Sequence, residues 1–114
     1  MICDFGEIVV VPFPFVDRPI VKRRPSLVLS NQPFNSENDH SILAMITTGA
    51  GSSWPSDVPL PASTESGLRH DCVMRWKLFT LPNSLILKRI GRLSAGQLRL
   101  VHKSVRGFLA PKGA

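Results

Sequence analysis

The sequence predicts a small α+β domain: five or six short strands forming a strongly curved sheet or a small barrel, with one C-terminal helix packed against it. Three observations point there. Short apolar and β-branched runs recur at 8–11, 25–30, 41–48 and 71–79, separated by Gly, Pro, Asn and Ser clusters. Helical spacing of apolar residues is convincing only near the end of the chain. The 114 residues suffice for one domain, read here as 1–114, with 43% apolar residues to build one core.

The elements follow in order. GEIVVVPFP (6–14) is a strand carrying the β-branched run 8–11; Pro12 and Pro14 share a parity, which predicts an edge or bulge at its end. Residues 15–24 form a loop. A second strand covers 25–30, with Leu27 and Leu29 on one face and Val28 on the other. NQPFNSENDH (31–40) is polar and turn-rich. SILAMITT (41–48) is a buried central strand running into the GAGSSWPS loop. DVPLP (57–61) is a short edge strand, 62–70 a loop and DCVMRWKLF (71–79) a long fourth strand. LPNS turns the chain into a short strand at 85–90. The helix follows, opened by Ser94 and Gln97 in a capping-box pattern, with Leu98, Val101, Val105 and Phe108 as its core stripe.

Charge is unevenly distributed. All eight acids lie in residues 1–71, against five Lys or Arg; residues 72–114 carry nine Lys or Arg and no acid. This asymmetry favours a polyanionic partner. No apolar run reaches the roughly 18 residues of a membrane span, and the acids in MICDFGE argue against a secretory signal. Cys3 and Cys72 form no C-x-x-C pair, and a reduced, cytoplasmic protein is expected.

Arg24 stands before Pro25, which stiffens the junction between loop and strand. Its guanidinium there suits a phosphate or a structural carboxylate. Thr47 and Thr48 end a buried strand before Gly49, where a hydroxyl can reach a phosphate oxygen or simply favour the strand. Arg75 and Lys77 share one face of the fourth strand, so that face is solvated, paired or part of a site; Cys72, Met74, Trp76 and Leu78 take the opposite, core face. His70 precedes this strand; His40 and His102 read as surface residues. No metal-ligand spacing and no phosphate-cradling glycine motif occurs, so neither metal nor organic cofactor is expected.

These stretches resemble the MazF/PemK-like toxins of type II toxin–antitoxin systems. GEIVVVPFPF is similar to the family's opening strand, RRPSLVLSN to its R-P-hydrophobic strand with Arg24 at the motif arginine, and AMITTG to the strand bearing its threonine, at Thr47. CVMRWKLFTL resembles the strand supplying a second arginine, at Arg75, and IGRLSAGQLRLVHKSVRGFL the last strand and helix. The resemblance implies a small SH3-like (CcdB/PemK-type) β-barrel with a C-terminal helix, usually a homodimer. It also implies a metal-independent endoribonuclease that cuts single-stranded RNA to 2′,3′-cyclic phosphate ends and is neutralised by an acidic antitoxin. Arg24, Thr47 and Arg75 then stabilise the charge on the scissile phosphate, while Lys22, Arg23, Thr48, His70 and Lys77 bind RNA.

One position departs from the family pattern. Some members carry an aspartate two residues after the second arginine, where Lys77 stands here. The general base is left among Lys77, His70, Asp71 and Asp17. The loop 16–23 looks shorter than in many members, in which it helps shape the RNA groove. Two other readings stay open: a non-catalytic RNA- or partner-binding module, and a CcdB-like gyrase inhibitor, which the tail GFLAPKGA disfavours because it lacks the tryptophan such proteins need.

Overall fold

The computed structural model describes residues 1–13 and 22–111. Pro14, Asp17 and the loop read as shaping the groove (up to residue 21) lie outside them. The chain forms β1 (Glu7–Phe13), β2 (Lys22–Val28), α1 (Gln32–Asn38), β3 (His40–Thr47), β4 (Val58–Leu60), β5 (Cys72–Pro82), β6 (Lys88–Arg92) and α2 (Ala95–Leu109). The strands make one antiparallel sheet in the order β4-β5-β3-β2-β1-β6, curled into a half-barrel. Among the described residues no helix is long and apolar enough to cross a membrane.

Alternation along the strands gives the sheet two buried faces. Ile8, Leu27, Ala44, Ile46 and Met74 point to one, where Leu93 and Val101 of the C-terminal segment cover them. Val9, Val11, Val28, Leu43 and Leu81 point to the other, with Cys3 and Ile86. The gap between the outer strands is bridged by the β4–β5 connection, whose Glu65 carbonyl accepts from Arg92 N at 2.9 Å. The approach is close enough to require glycine twice. A Cβ on Gly67 (φ +73°) would lie 2.0 Å from Ile90 O, and one on Gly91 2.3 Å from Ser66 O.

The predicted capping box is present: Ser94 Oγ accepts from Gln97 N at 3.2 Å, and Gln97 Oε1 accepts from Ser94 N at 2.8 Å. The stripe above it is only partly core. Val101 is buried and Leu98 and Val105 are half-buried, but Phe108 is 57% exposed, touching Trp76 edge-on at 5.2 Å.

Other expectations are corrected. Residues 32–38, read as turns, form α1: Asn31 Oδ1 caps Phe34 N, and Asp39 ends the helix at φ 54°. A buried amide network fixes this short helix. Asn35 Nδ2 donates to Cys3 O at 2.9 Å, Asn83 Nδ2 to Asn35 O at 2.8 Å, and Ser41 Oγ to Asn83 Oδ1 at 2.6 Å. β5 runs on through the predicted turn to Pro82, so the last strand begins at Lys88 rather than 85; between them Asn83–Leu85 form a 3-10 turn. β2 begins at Lys22, so the cations once placed in a loop sit within the strand. Ala44 faces Leu78 but Met45 faces Arg75, which leaves Trp76 and Lys77 in a bulge. Trp76 is therefore only half-buried, and Leu78, expected in the core, is 37% exposed.

Candidate active site

The first residues of β2, β5 and β6 and the last of β3 meet at one end of the half-barrel, as antiparallel pairing requires. There they enclose a cleft of about 530 Å³. Its apolar lining is Val10, Pro25, Ile46 and Ile90; its polar lining is Arg23, Arg24, Thr47, Thr48, Arg69, His70 and Lys88. Among the described residues no Asp or Glu lines it. Among the described residues no acid neutralises its four permanent cations, a field suited to an anion; strand alternation turns Arg23 and Lys88 to the face of Val10 and Pro25, and Arg24 and Thr47 to the opposite face of Val9 and Val11 at the same rim.

Ser26 and Met45 are the last pair of β2 with β3, and Arg24 and Thr47, each two residues beyond, lie on the same sheet face. Pro25 holds the strand extended at this point. The Arg24 guanidinium lies 5.2 Å from the Phe13 ring centroid, a cation–π contact that positions it without using its hydrogen-bond donors. Among the described residues no carboxylate pairs with Arg24. Thr47 Oγ1 accepts from Gly49 N at 3.3 Å and Thr48 Oγ1 from Ala50 N at 3.4 Å, so each hydroxyl keeps its O–H to donate.

Arg75 shares the sheet face of Arg24 and Thr47, because it pairs with Met45, yet it does not line the cleft. Of the alternatives left open for that face, the structure shows Arg75 paired. Its Nε donates to Asp57 Oδ1 at 3.0 Å, Nη2 to Asp57 Oδ2 at 2.8 Å and Nη1 to Ser52 Oγ at 2.9 Å, and the residue is 5% exposed. Hydrogen bonding to Arg75 holds the Asp57 carboxyl below the usual carboxylate range, and the same bonds raise Arg75. Lys77 is exposed with Nζ 5.7 Å from the Trp54 ring centroid, and Lys22 lies outside the cleft lining. Asp71 caps a loop by accepting from Ala62 N at 2.9 Å.

Residues 4–109 match the family described as PemK-like, MazF-like toxin of type II toxin–antitoxin system. This chain belongs to that family. It is 30% identical over 90 residues to Endoribonuclease MazF2 of Mycobacterium bovis and to Endoribonuclease MazF6 of Mycobacterium tuberculosis, covering 77% of this chain and 79% of each relative. A crystal structure of MazF from Deinococcus radiodurans superposes with a TM-score of 0.73 at 25% identity, over 97% of this chain and 99% of that one. A MazE–MazF crystal structure from the same organism gives 0.75 at 24% identity, over 96% and 97%, and carries the fold alone.

In this PemK/MazF-family chain the cleft gathers Arg23, Arg24, Thr47, Thr48 and His70, all singled out in the sequence, and leaves Lys22, Arg75 and Lys77 outside its lining. It adds Arg69, beside His70, and Lys88, beside Arg89, which belong to no motif in the sequence. The partner of Arg75, Asp57, is 18 residues away, and no spacing rule joins them.

Proposed function

We propose that this chain is the toxin of a type II pair and acts in the cytoplasm as an endoribonuclease on single-stranded RNA, without a metal. One observation carries the reading: Arg24 and Thr47 stand on one sheet face at the rim of a cleft lined by four permanent cations and, among the described residues, no carboxylate. Such a lining favours a phosphate and, among the described residues, offers no carboxylate for a hard cation. The relatives named as endoribonucleases support the choice of reaction.

In the proposed step the 2′-hydroxyl loses its proton and attacks the adjacent phosphorus. The P–O5′ bond breaks, and the 5′-oxygen takes up a proton. The products are a 2′,3′-cyclic phosphate and a 5′-hydroxyl. Arg24 and the Thr47 hydroxyl donate to the non-bridging oxygens as charge gathers on them. Arginine stays protonated, so it stabilises charge rather than carrying the proton. Histidine is the residue type in the cleft that exchanges protons near neutral pH, which assigns that role to His70. Arg23, Arg69 and Lys88 hold the flanking backbone. Arg75 acts at a distance, by holding the β3–β4 connection. An acidic antitoxin segment would compete for the same cations, and a second copy of the chain is the other expected partner.

Purified protein incubated with mixed-sequence single-stranded RNA in EDTA, with Arg24→Ala alongside, tests the reading. Discrete fragments ending in cyclic phosphate, reduced about 100-fold or more in the variant, are expected from the loss of a charge-stabilising donor. Intact RNA with the folded wild type would overturn it in favour of a binding module.

A further inference from the structure

We infer that Trp54, in the β3–β4 connection, is a stacking platform for an unpaired base of single-stranded RNA. The inference rests on the RNA reading above and adds a contact outside the cleft. Trp54 belongs to neither buried face and is 38% exposed. An exposed indole on a connection would ordinarily be loosely held, but this one is fixed. Trp54 N donates to Asp57 Oδ2 at 3.0 Å, and Asp57 N donates back to Trp54 O at 3.0 Å. Asp57 is in turn held in a two-pronged ion pair by Arg75 of β5. The backbone carrying the ring is therefore anchored to the sheet, and the Arg75 guanidinium packs against the ring itself.

Two cations border it. The Arg75 guanidinium carbon is 5.5 Å from the ring centroid, and the Lys77 Nζ is 5.7 Å from it. Arg75 is almost fully buried, so the ring surface turned to it is the inner one, and the exposed area lies away from it. Lys77 is exposed because the β5 bulge leaves it without a ladder partner. An aromatic face bordered by a solvent-facing ammonium suits a nucleotide: the base stacks and the adjacent phosphate meets the charge. The location fits as well. Arg75 pairs with Met45, two residues before Thr47 on the same strand face, a step of roughly 7 Å. A strand with its phosphate between Arg24 and Thr47 thus has a nearby base within reach of the ring. Since the indole is set beforehand, stacking costs little ordering.

The test uses a short 2′-O-methyl single-stranded RNA of mixed sequence, which binds without offering a nucleophile, and its fully abasic counterpart. Fluorescence anisotropy would be measured for wild type, Trp54→Ala and Trp54→Phe, each with its melting temperature. Trp54→Ala is expected to bind the base-bearing probe roughly 5- to 100-fold more weakly, and Trp54→Phe to keep most of the affinity. The abasic probe should bind all three alike. Equal affinity of wild type and Trp54→Ala for the base-bearing probe would overturn the stacking role while leaving RNA cleavage standing. So would an equal loss on the abasic probe, which would mark Trp54 as structural. Failure of wild type to bind either probe would overturn the RNA reading itself.

Discussion

Arg75 spends its donors on Asp57 and Ser52, and this pairing makes a prediction about acid. The folded Asp57 carboxyl is held below its ordinary value, so the folded state binds that proton less readily than the unfolded chain does. Stability from the pair is present above the unfolded pKa, near 4 for aspartate, and is lost as pH falls through the lower folded value. Asp57→Asn should lower the melting temperature at neutral pH, and the difference from wild type should shrink in acid; a constant difference from pH 7 to pH 3 would refute the coupling. At His70 the expected readout is kinetic. His70→Gln should slow single-turnover RNA cleavage by about 100-fold or more, the ordinary contribution of an acid–base group. RNA affinity should change far less, and a wild-type rate would remove His70 from the mechanism.

Among the elements, α1 shows what a buried polar side chain can do. Asn35 is fully buried and bonded on both sides, to Cys3 O and from Asn83. Asn35→Ala would strand the Cys3 and Ser30 carbonyls it serves, and should cost about 1–3 kcal/mol in urea unfolding. The same helix marks a limit of sequence reading. Seven residues hold too few turns for a periodic pattern, and NQPFNSEN has the composition of a turn. The strands were legible because the β-branched and apolar residues of 8–11 and 41–46 fill buried faces. The β6 boundary was missed because Leu85, Ile86 and Leu87 read as a strand although the first of them closes a 3-10 turn. In the site, Arg24 and Thr47 were legible from Pro25 and Gly49 beside them. Arg69 and Lys88 were not, because only the β1–β6 pairing and the path of the β4–β5 connection bring them to the cleft.

For the whole molecule, the charge asymmetry becomes a statement about salt. Lys and Arg outnumber acids 14 to 8, and four of the cations line the cleft. If those four meet phosphates, the logarithm of RNA affinity should fall against the logarithm of salt with a slope of about −3 for single strands. Lys88→Ala should reduce the steepness of that slope by about 0.7. A salt-independent affinity would refute the cleft as the RNA seat.

The seam at Gly67 and Gly91 bears on how such a molecule can change. The two positions lie on segments far apart in the chain, yet each leaves room that the other's neighbours occupy. Neither can be exchanged alone for a residue with a side chain without moving backbone. Recombination between two relatives that splits residues 61–70 from 88–92 would inherit mismatched halves of one seam. The cation-bearing rim at Arg69 and Lys88 therefore travels as a unit, more open to side-chain change than to altered loop length beneath it.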